Sequence, residues 1–493
     1  MTAPRVAFET TAPFGFFDYF RVPHRTGAAL PAGVVPLPGA GCLWSATDSP
    51  VLTWARPERR PARERLTGRF DLDGVPLAGH VLRDEVIDRE LADRGGWQPA
   101  EAVTGADGTR CSSVWRHPDG SVLLPFDPGE VMTTLWSERY LTLGRSPLPA
   151  ALRALAIRGY YLVRPALPRP VQLRLRQAFT KVQGRAEFPR WPVEDGLADL
   201  YGWLFARLEE IAGAPVPWLD LWPDGRDWAF VLTHDVETRV GFDGRELLRG
   251  PERDLGLRSS WNLVAERYEV DDDVVRALQD EGCEIGVHGL RHDGKDLGSR
   301  RLLRRRLPAM RRAAQRWGAR GFRSPATQRR WEWMPTLGFD YDTSTPDTDP
   351  YEPQPGGCAT TLPFLHGEMV ELPITLPQDH TVFAILDEPD GGLWLEKTGH
   401  IRDRRGMALV LTHPDYAVDP RVVAAYSTLL ATHRDDPTAW HALPGEVATW
   451  WHRRAHSELA PAADGWEVVG PAAGRGRVRL GSHPAADPIT LAD

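Results

Sequence analysis

The chain has 493 residues, of which 42% are apolar and 26% charged, so it has the length for more than one domain and the composition of a globular protein. A formal net charge of −8 disfavours a primary role in binding nucleic acid. No apolar run reaches the ~20 residues that a membrane-spanning helix needs, and the N-terminal residues lack a basic stretch followed by a long apolar one. We therefore expect a cytoplasmic protein with no membrane span, and the sequence indicates no particular oligomeric state.

The four cysteines, Cys42, Cys111, Cys283 and Cys358, are far apart in the sequence and form no CxxC pair. Such spacing is typical of small core residues in a reducing compartment rather than of a disulfide framework or a thiolate metal site. We therefore expect four free thiols.

The first 185 residues contain no group of side chains that can be attached to a reaction. Proline and glycine in LPAGVVPLPGAG (30–41) and LPFDPGE (124–130) indicate turns between short strands. The stretch MTTLWSERYLTLG (132–144) favours a helix. These elements predict an α+β region of unknown role.

From Trp228 onward, apolar strand-like runs alternate with helical patterns. The predicted strands are WAFVLT (228–233), CEIGV (283–287) and GMALVLT (406–412), and the predicted helices are DDDVVRALQDEG (271–282) and SRRLLRRRLPAMRRAAQRWG (299–318). Ser299 caps the second helix and Gly318 stops it. This alternation is typical of an α/β domain with parallel strands, and polar residues follow each strand at the end where such folds carry their chemistry.

These changes in sequence pattern predict four segments along the chain. An N-terminal α+β domain occupies 1–185, and the proline-rich stretch RPALPRP (164–170) could mark its boundary. A connecting segment at 186–225 leads into the α/β domain at 226–455. A C-terminal tail at 456–493 has room for a small hairpin.

The helix predicted at 299–318 is rich in arginine. An apolar stripe recurs along it at helical spacing and comprises Leu303, Leu307, Met310, Ala314 and Trp317. Most of the arginines therefore fall on the remaining surface. A solvated face is the favoured interpretation, and binding to nucleic acid or an anionic surface is the less favoured alternative.

Two histidines follow the strand at 283–287. His288 and His292 are four positions apart, and imidazoles at this spacing can point the same way from one helical turn and share a single cation. Two unrelated polar histidines are the alternative, but the buried strand and the glycine-flanked turn favour a joint role. A metalloprotease of the HExxH type is excluded, because Gly289 stands where the glutamate would be.

A cation such as Zn²⁺ takes a third protein ligand, commonly a carboxylate, and keeps a position open for water. Asp235 and Glu237 in THDVE (233–237) lie two apart at a strand end, so an extended chain puts them on one side. A departure from extended geometry there would let both acids reach the metal region in different roles. The alternative is a pair of solvent-facing acids at the end of a strand.

Five motifs in this order resemble the signature of the polysaccharide deacetylases, the NodB-homology superfamily that includes carbohydrate esterase family 4. The motifs are THDVE, EIGVHGLRH, FRSPA, FDYDTSTPD and LVLTHPD, and they lie within about 226–455. The resemblance implies a distorted (β/α)7-type barrel that hydrolyses an N-acyl amide. It also implies one divalent metal ion, with Zn preferred and Co, Ni or Mn as alternatives.

The resemblance also assigns residues at the metal. His288 and His292 match the imidazole ligands, and Asp235 matches the first aspartate of the opening motif, usually the general base. The commonest form of that motif has a second aspartate next as a metal ligand, where this chain has Val236. Some members carry an acid two positions on, so Glu237 is the predicted third ligand, and the roles of the two acids could be exchanged.

The remaining motifs carry the other predicted catalytic groups. Arg323 of FRSPA matches the arginine that pairs with the base. Ala326 stands where the family often has tyrosine, which contributes a backbone N–H to the oxyanion. His413 of LVLTHPD matches the histidine that acts as general acid, and Asp342 could tune it or line the site. Nearby acids that compete with Asp342 for this role are Asp340, Asp347 and Asp349.

The favoured function is therefore a metal-dependent amide hydrolase that removes acetyl or another N-acyl group from an amino sugar or glycan-related substrate. A hydrolase of non-sugar amides of the formyl or ureide type is the second hypothesis, and the sequence does not separate the two. The third hypothesis is a non-catalytic carbohydrate-binding relative, which Val236 and Ala326 favour because they replace the family's usual residues. All three hypotheses predict a small-molecule or glycan partner and no nucleic acid.

Overall fold

The computed structural model describes residues 6–46, 50–143 and 188–481. The chain divides into two compact units. Among the described residues, those of Met1–Gly144, Asp195–Gly225 and Arg453–Asp493 form the first unit, and those of Arg145–Glu194 and Arg226–His452 form the second. The proline-rich stretch at 164–170, predicted as a boundary, lies outside the described residues.

The described residues form 22 β-strands and 11 α-helices. The strands are β1 Phe8–Thr10, β2 His24–Thr26, β3 Gly41–Trp44, β4 Leu52–Trp54, β5 Arg65–Leu72, β6 Val75–Leu82, β7 Gln98–Gly105, β8 Arg110–Arg116, β9 Val122–Leu124, β10 Pro217–Leu219, β11 Trp228–Val236, β12 Ser260–Leu263, β13 Glu284–Val287, β14 Gly321–Phe322, β15 Tyr341–Asp342, β16 Phe364–His366, β17 Met369–Glu371, β18 Met407–Thr412, β19 Ala439–His441, β20 Glu458–Ala462, β21 Gly465–Val469 and β22 Val478–Leu480. The α-helices are α1 Gly15–Phe20, α2 Asp84–Leu91, α3 Pro128–Trp136, α4 Gly196–Ala212, α5 Arg239–Asp243, α6 Glu246–Asp254, α7 Asp272–Asp280, α8 Arg300–Trp317, α9 Gly392–Asp403, α10 Pro420–His433 and α11 Pro444–Ala455.

In the first unit, β1 to β9 form one mixed sheet in the order β2-β1-β3-β4-β9-β8-β7-β5-β6. Two smaller antiparallel pairs, β10 with β22 and β20 with β21, also belong to this unit. The helix predicted at 132–144 starts earlier, at Pro128, and ends at Trp136. The reason is local: the Asp127 carboxylate caps this helix by accepting a hydrogen bond from the Gly129 N–H (2.8 Å), and Pro128 suits its first position.

The second unit is built on a sheet with seven neighbouring parallel strands, in the order β17-β15-β14-β13-β12-β11-β18. The two ends of this row approach each other after β17, where the Leu376 N–H donates to the Leu409 carbonyl of β18 (3.2 Å). Thr375 Oγ1 also donates to the Met407 carbonyl (2.7 Å). The predicted α/β class is thereby confirmed in its coarser form, as a curled half-barrel sheet.

The predicted elements of this unit are present close to their expected bounds. Every residue of β11 is buried, as its apolar run predicts. Ser299 Oγ accepts a hydrogen bond from the Leu302 N–H (3.2 Å) at the start of α8, and Gly318 ends that helix in the left-handed conformation. The predicted stripe of α8 packs into the core, but Arg306 is buried as well. It is held there by ion pairs with Asp293 (2.6 Å) and Asp296 (2.7 Å).

Asp235 lies in a row of residues that are in register across five neighbouring strands. The row comprises Asp235, Asn262, Gly286, Gly321 and Tyr341. A Cβ atom added at Gly286 would lie 2.0 Å from Asn262 Oδ1, and one added at Gly321 would lie 1.9 Å from the ring of Tyr341. The two glycines therefore leave the space that the Asn262 amide and the Tyr341 ring occupy on the face that carries Asp235.

All four cysteines are free, and Cys42, Cys283 and Cys358 are buried, which confirms the prediction of free thiols. None of the helices in the described part of the chain combines the length and the apolar composition that crossing a bilayer requires.

Candidate metal centre and active site

Asp235 is the first acid of the site and is held from two sides. Its Oδ1 atom accepts hydrogen bonds from Asn262 Nδ2 (2.9 Å) and from Arg323 Nη1 (3.1 Å). Its Oδ2 atom lies 3.6 Å from His288 Nδ1 and makes no hydrogen bond among the described residues. One oxygen therefore fixes the carboxylate, and the other is left to accept a proton.

Arg323 fixes both the position and the charge of Asp235. It is completely buried, with Nε donating to the Thr343 carbonyl (2.9 Å) and Nη1 also donating to Thr233 Oγ1 (2.9 Å). Burial alone would raise the pKa of Asp235, but Arg323 and the neighbouring imidazoles outweigh it and hold that pKa below its ordinary value. Asp235 is thus ionised at neutral pH, as a general base has to be.

Glu237, His288 and His292 come together beside this pair. Each offers one ligand atom, and the three atoms lie within 4.8 Å of one another. His288 Nδ1 donates to the Arg323 carbonyl (3.1 Å), which leaves the lone pair of its Nε2 atom for another partner. The Nε2 atom of His288 is buried and makes no hydrogen bond within the described part of the chain, and the Nε2 atom of His292 lies 3.1 Å from Glu237 Oε1.

This donor set fits a divalent cation. Two imidazole nitrogens and one carboxylate oxygen are ligands that catalytic Zn²⁺ takes, and a buried nitrogen without a hydrogen-bond partner, such as His288 Nε2, is costly unless something binds it. Burial is the main reason that the pKa of His288 falls to about 4, so its imidazole is neutral at pH 7. Burial opposes ionisation of Glu237, but the three neighbouring imidazoles outweigh it and keep its pKa well below the usual range. Both groups are therefore in the protonation states that metal binding needs.

The two histidines converge through a turn, and the helical turn expected from their spacing is absent. Gly289 and His292 both have left-handed backbone conformations, with φ of 67° and 52°. A Cβ atom at residue 289 would lie 2.6 Å from Asp296 Oδ2, which accepts a hydrogen bond from the Leu290 N–H (3.0 Å). The close approach of Asp296 therefore requires glycine at 289 and shapes the turn.

His413 follows β18 and is paired with Asp379, a residue that the sequence did not single out. The Asp379 carboxylate accepts hydrogen bonds from the His413 backbone N–H (2.7 Å) and from its Nδ1 (2.6 Å). His413 Nε2 lies 4.0 Å from Glu237 Oε1, beside the group formed by Glu237, His288 and His292. Burial alone would lower the pKa of His413, but Asp379 and the other nearby carboxylates outweigh it and raise that pKa to about 10. The imidazole is therefore protonated at neutral pH and can donate from Nε2.

Asp342 does not contact His413. It follows Tyr341 in β15, and because successive strand residues point to opposite faces, it lies on the face away from Asp235. Its carboxyl group accepts a hydrogen bond from Ser344 Oγ (2.7 Å). Burial raises its pKa to about 6. The structure thus pairs His413 with Asp379 and not with the acid that the sequence predicted for tuning it.

The three acids that competed with Asp342 for the predicted role beside His413 interact with other residues. Asp340 pairs with Arg320 (2.6 Å), and Asp349 accepts a hydrogen bond from the Tyr351 N–H (2.7 Å). Asp347 forms an ion pair with Lys397 Nζ (2.8 Å), and both side chains are 2% exposed.

We expect Lys397→Met to lower the free energy of unfolding by about 3–5 kcal/mol, because it leaves the Asp347 carboxylate buried without its cation. Denaturant unfolding would measure the loss. Arg402→Met on the same helix is the matched control, since Arg402 pairs with Asp403 in solvent (3.0 Å) and such pairs contribute about 0–1 kcal/mol. Equal losses in the two variants would contradict the stabilising role of the buried pair.

The loop after β14 carries the backbone donor predicted for an oxyanion. Ala326 and Thr327 both have left-handed conformations, with φ of 53° and 48°, which are strained for residues other than glycine. The Ala326 N–H makes no hydrogen bond among the described residues. Ser324 Oγ and Thr327 Oγ1 are buried hydroxyls that also have no partner there. This strained loop therefore offers polar groups close in sequence to Arg323.

No protein-family model and no curated protein matches the chain. A solved structure described as a polysaccharide deacetylase from Mycobacterium smegmatis is 19% identical, with 50% of this chain and 97% of that chain covered and a TM-score of 0.40. The chain is similar to polysaccharide deacetylases. A second structure so described, from Pseudomonas aeruginosa PAO1, is 17% identical, with 46% and 92% covered and a TM-score of 0.37. Puue allantoinase is 17% identical, with 54% and 98% covered and a TM-score of 0.39.

Proposed function

We propose that this chain is a metal-dependent hydrolase that removes an N-acyl group, such as acetyl, from an amino sugar or a glycan-related substrate. The observation that carries the proposal is the group of ligand atoms from Glu237, His288 and His292, within 4.8 Å of one another and next to the Asp235–Arg323 ion pair. Zn²⁺ suits this set best, and Co, Ni or Mn also fit it.

The protein groups around this centre have complementary tasks. A cation held there supplies Lewis acidity, which makes water more acidic and polarises a carbonyl group. Asp235, kept ionised by Arg323, accepts the proton that the attacking water gives up. His413, kept protonated by Asp379, donates a proton to the leaving nitrogen. The Ala326 N–H is the proposed donor to the oxyanion of the tetrahedral intermediate.

We place this chemistry in the segment 226–455, because all these residues lie within it. We also propose that its sheet is a distorted (β/α)7-type barrel, since seven strands run parallel and hydrogen bonds join Thr375 and Leu376 to β18. The role of 1–185 as a separate N-terminal domain, of 186–225 as a connection and of 456–493 as a tail stays a prediction. So does the cytoplasmic location.

The test is release of acetate from N-acetylglucosamine oligomers by the purified full chain, with zinc supplied and after chelation. We expect hydrolysis that chelation abolishes, that zinc restores, and that His292→Ala lacks under both conditions. A parallel panel of formyl and ureide amides separates the sugar substrate from the non-sugar alternative. Binding of glycan without hydrolysis of any amide would contradict the proposal and favour a non-catalytic relative.

A further inference from the structure

Asp415 connects two parts of the site that are distant in the sequence. It lies two residues after His413, and its Oδ2 atom accepts a hydrogen bond from the backbone N–H of Glu237 (3.0 Å). Its Oδ1 atom accepts a short hydrogen bond from the Thr238 hydroxyl. Both oxygens of this one carboxylate are therefore directed at the segment that carries the proposed third metal ligand.

Glu237 needs such support because it lies just beyond the end of β11, where pairing with the neighbouring strands no longer fixes the backbone. The preceding carbonyl, of Val236, accepts a hydrogen bond from the Tyr268 hydroxyl (2.7 Å). The next polar group along the chain, the Glu237 N–H, is the one that Asp415 holds. Both polar groups of the peptide bond between Val236 and Glu237 are thus held by side chains from other loops.

We propose that Asp415 is a positioning residue that holds Glu237 for metal binding, an inference that rests on the function proposed above. Asp415 acts through Glu237, since both of its carboxylate oxygens accept hydrogen bonds from residues 237 and 238. Because Asp415 is in the same loop as His413, it also ties the proton donor to the metal ligand. A displacement of this carboxylate would therefore disturb the metal centre without removing any ligand.

Gly241 provides an independent way to displace Asp415. A Cβ atom at residue 241 would lie 2.1 Å from Asp415 Oδ2 and 2.5 Å from its Cγ, so the short side chain of Asp415 would have to move. Gly241 lies within α5, where alanine is favoured over glycine by about 1 kcal/mol. Gly241→Ala should therefore keep the helix and affect the metal centre only through Asp415.

The experiment compares the metal affinity of the wild-type full chain with that of Asp415→Asn and Gly241→Ala, by competition with a chromophoric chelator for Zn²⁺. We expect the affinity to fall about 10–100-fold in both variants, with a changed visible absorption spectrum of the Co²⁺-loaded protein. Asp271→Asn is the matched control, because the Asp271 carboxylate also accepts a hydrogen bond from a backbone N–H, that of Asp273 at the start of α7 (2.8 Å), and has no contact with Glu237, His288 or His292. It should lose some stability but no metal affinity.

Wild-type affinity and an unchanged Co²⁺ spectrum in both variants would overturn the role of Asp415 and leave the proposed function intact. Wild-type protein that binds no metal would instead overturn the proposed function, and this inference with it. If Asp415→Asn does not fold, Gly241→Ala decides the question on its own.

Discussion

Asp235→Asn is expected to lower kcat for amide hydrolysis by about 10³-fold and to leave the metal affinity close to that of the wild type. Asparagine keeps the size of the side chain and an oxygen that can accept from Asn262 and Arg323. It cannot accept a proton from water. Because the proposed metal ligands are Glu237, His288 and His292 and do not include Asp235, the loss should fall on the chemical step. Steady-state kinetics at saturating zinc, with metal content measured in parallel, would check this.

Glu252→Gln is the matched control for Asp235→Asn. Glu252 is also fully buried, and its Oε1 atom bonds His234 Nε2 (2.6 Å) on the opposite face of β11. We expect this control to lower stability by about 1–3 kcal/mol without the loss in kcat, because it perturbs a buried network away from the site. Equal losses of kcat in the two variants, or loss of metal from Asp235→Asn, would contradict the assignment of Asp235 as base.

Asp379→Asn is expected to move the alkaline limb of the kcat–pH profile to lower pH by ~2 units. Burial lowers the pKa of His413, and the negative charge of Asp379 is the largest of the effects that raise it to about 10. Without that charge, His413 loses its proton at lower pH and can no longer protonate the leaving nitrogen there. A cation at Glu237 lowers the pKa of His413 in both proteins, so the difference between the two profiles is the quantity to measure.

The pairing of His413 with Asp379 also makes the free energy of unfolding depend on pH. The pKa of His413 is higher in the folded protein, at about 10, than its ordinary value of 6.5. Its contribution to stability is therefore fully present below about pH 6.5 and is lost as the pH rises towards 10. Thermal unfolding of the wild type should show this loss, and Asp379→Asn should show less of it.

Asp342→Asn tests the alternative, suggested by the sequence, that Asp342 and not Asp379 sets the pKa of His413. Asp342 bonds Ser344 on the other face of the sheet, so its substitution should leave the alkaline limb in place. A shift with Asp342→Asn and none with Asp379→Asn would reverse the assignment that the structure supports.

The local elements near the site could be predicted because their signals are local. β11 is an unbroken apolar run, and α8 has an N-cap at Ser299 and a stop at Gly318. The proximity of Glu237, His288 and His292 could be predicted from spacing and motif order, although the turn that joins His288 to His292 could not. That turn depends on Asp296, which approaches Gly289 too closely for any side chain to be present there.

Asp379 could not be found in the same way, because its role depends on two loops meeting. It lies 34 positions before His413 in the sequence, in none of the recognised motifs. One local signal was present: an acid follows the strand-like run at 369–376, as polar residues follow the other strands. The face of the sheet on which Asp342 lies could not be predicted, because β15 has only two residues, too few for an alternating pattern to appear in the sequence.

The most direct test of the proposed metal centre is anomalous scattering from crystals of the zinc-loaded protein, recorded on either side of the zinc absorption edge. We predict one ion within about 2.0–2.2 Å of the His288 and His292 Nε2 atoms and of a Glu237 carboxylate oxygen. An ion bound elsewhere, or no ion between these two imidazoles in zinc-saturated crystals, would contradict the proposed centre.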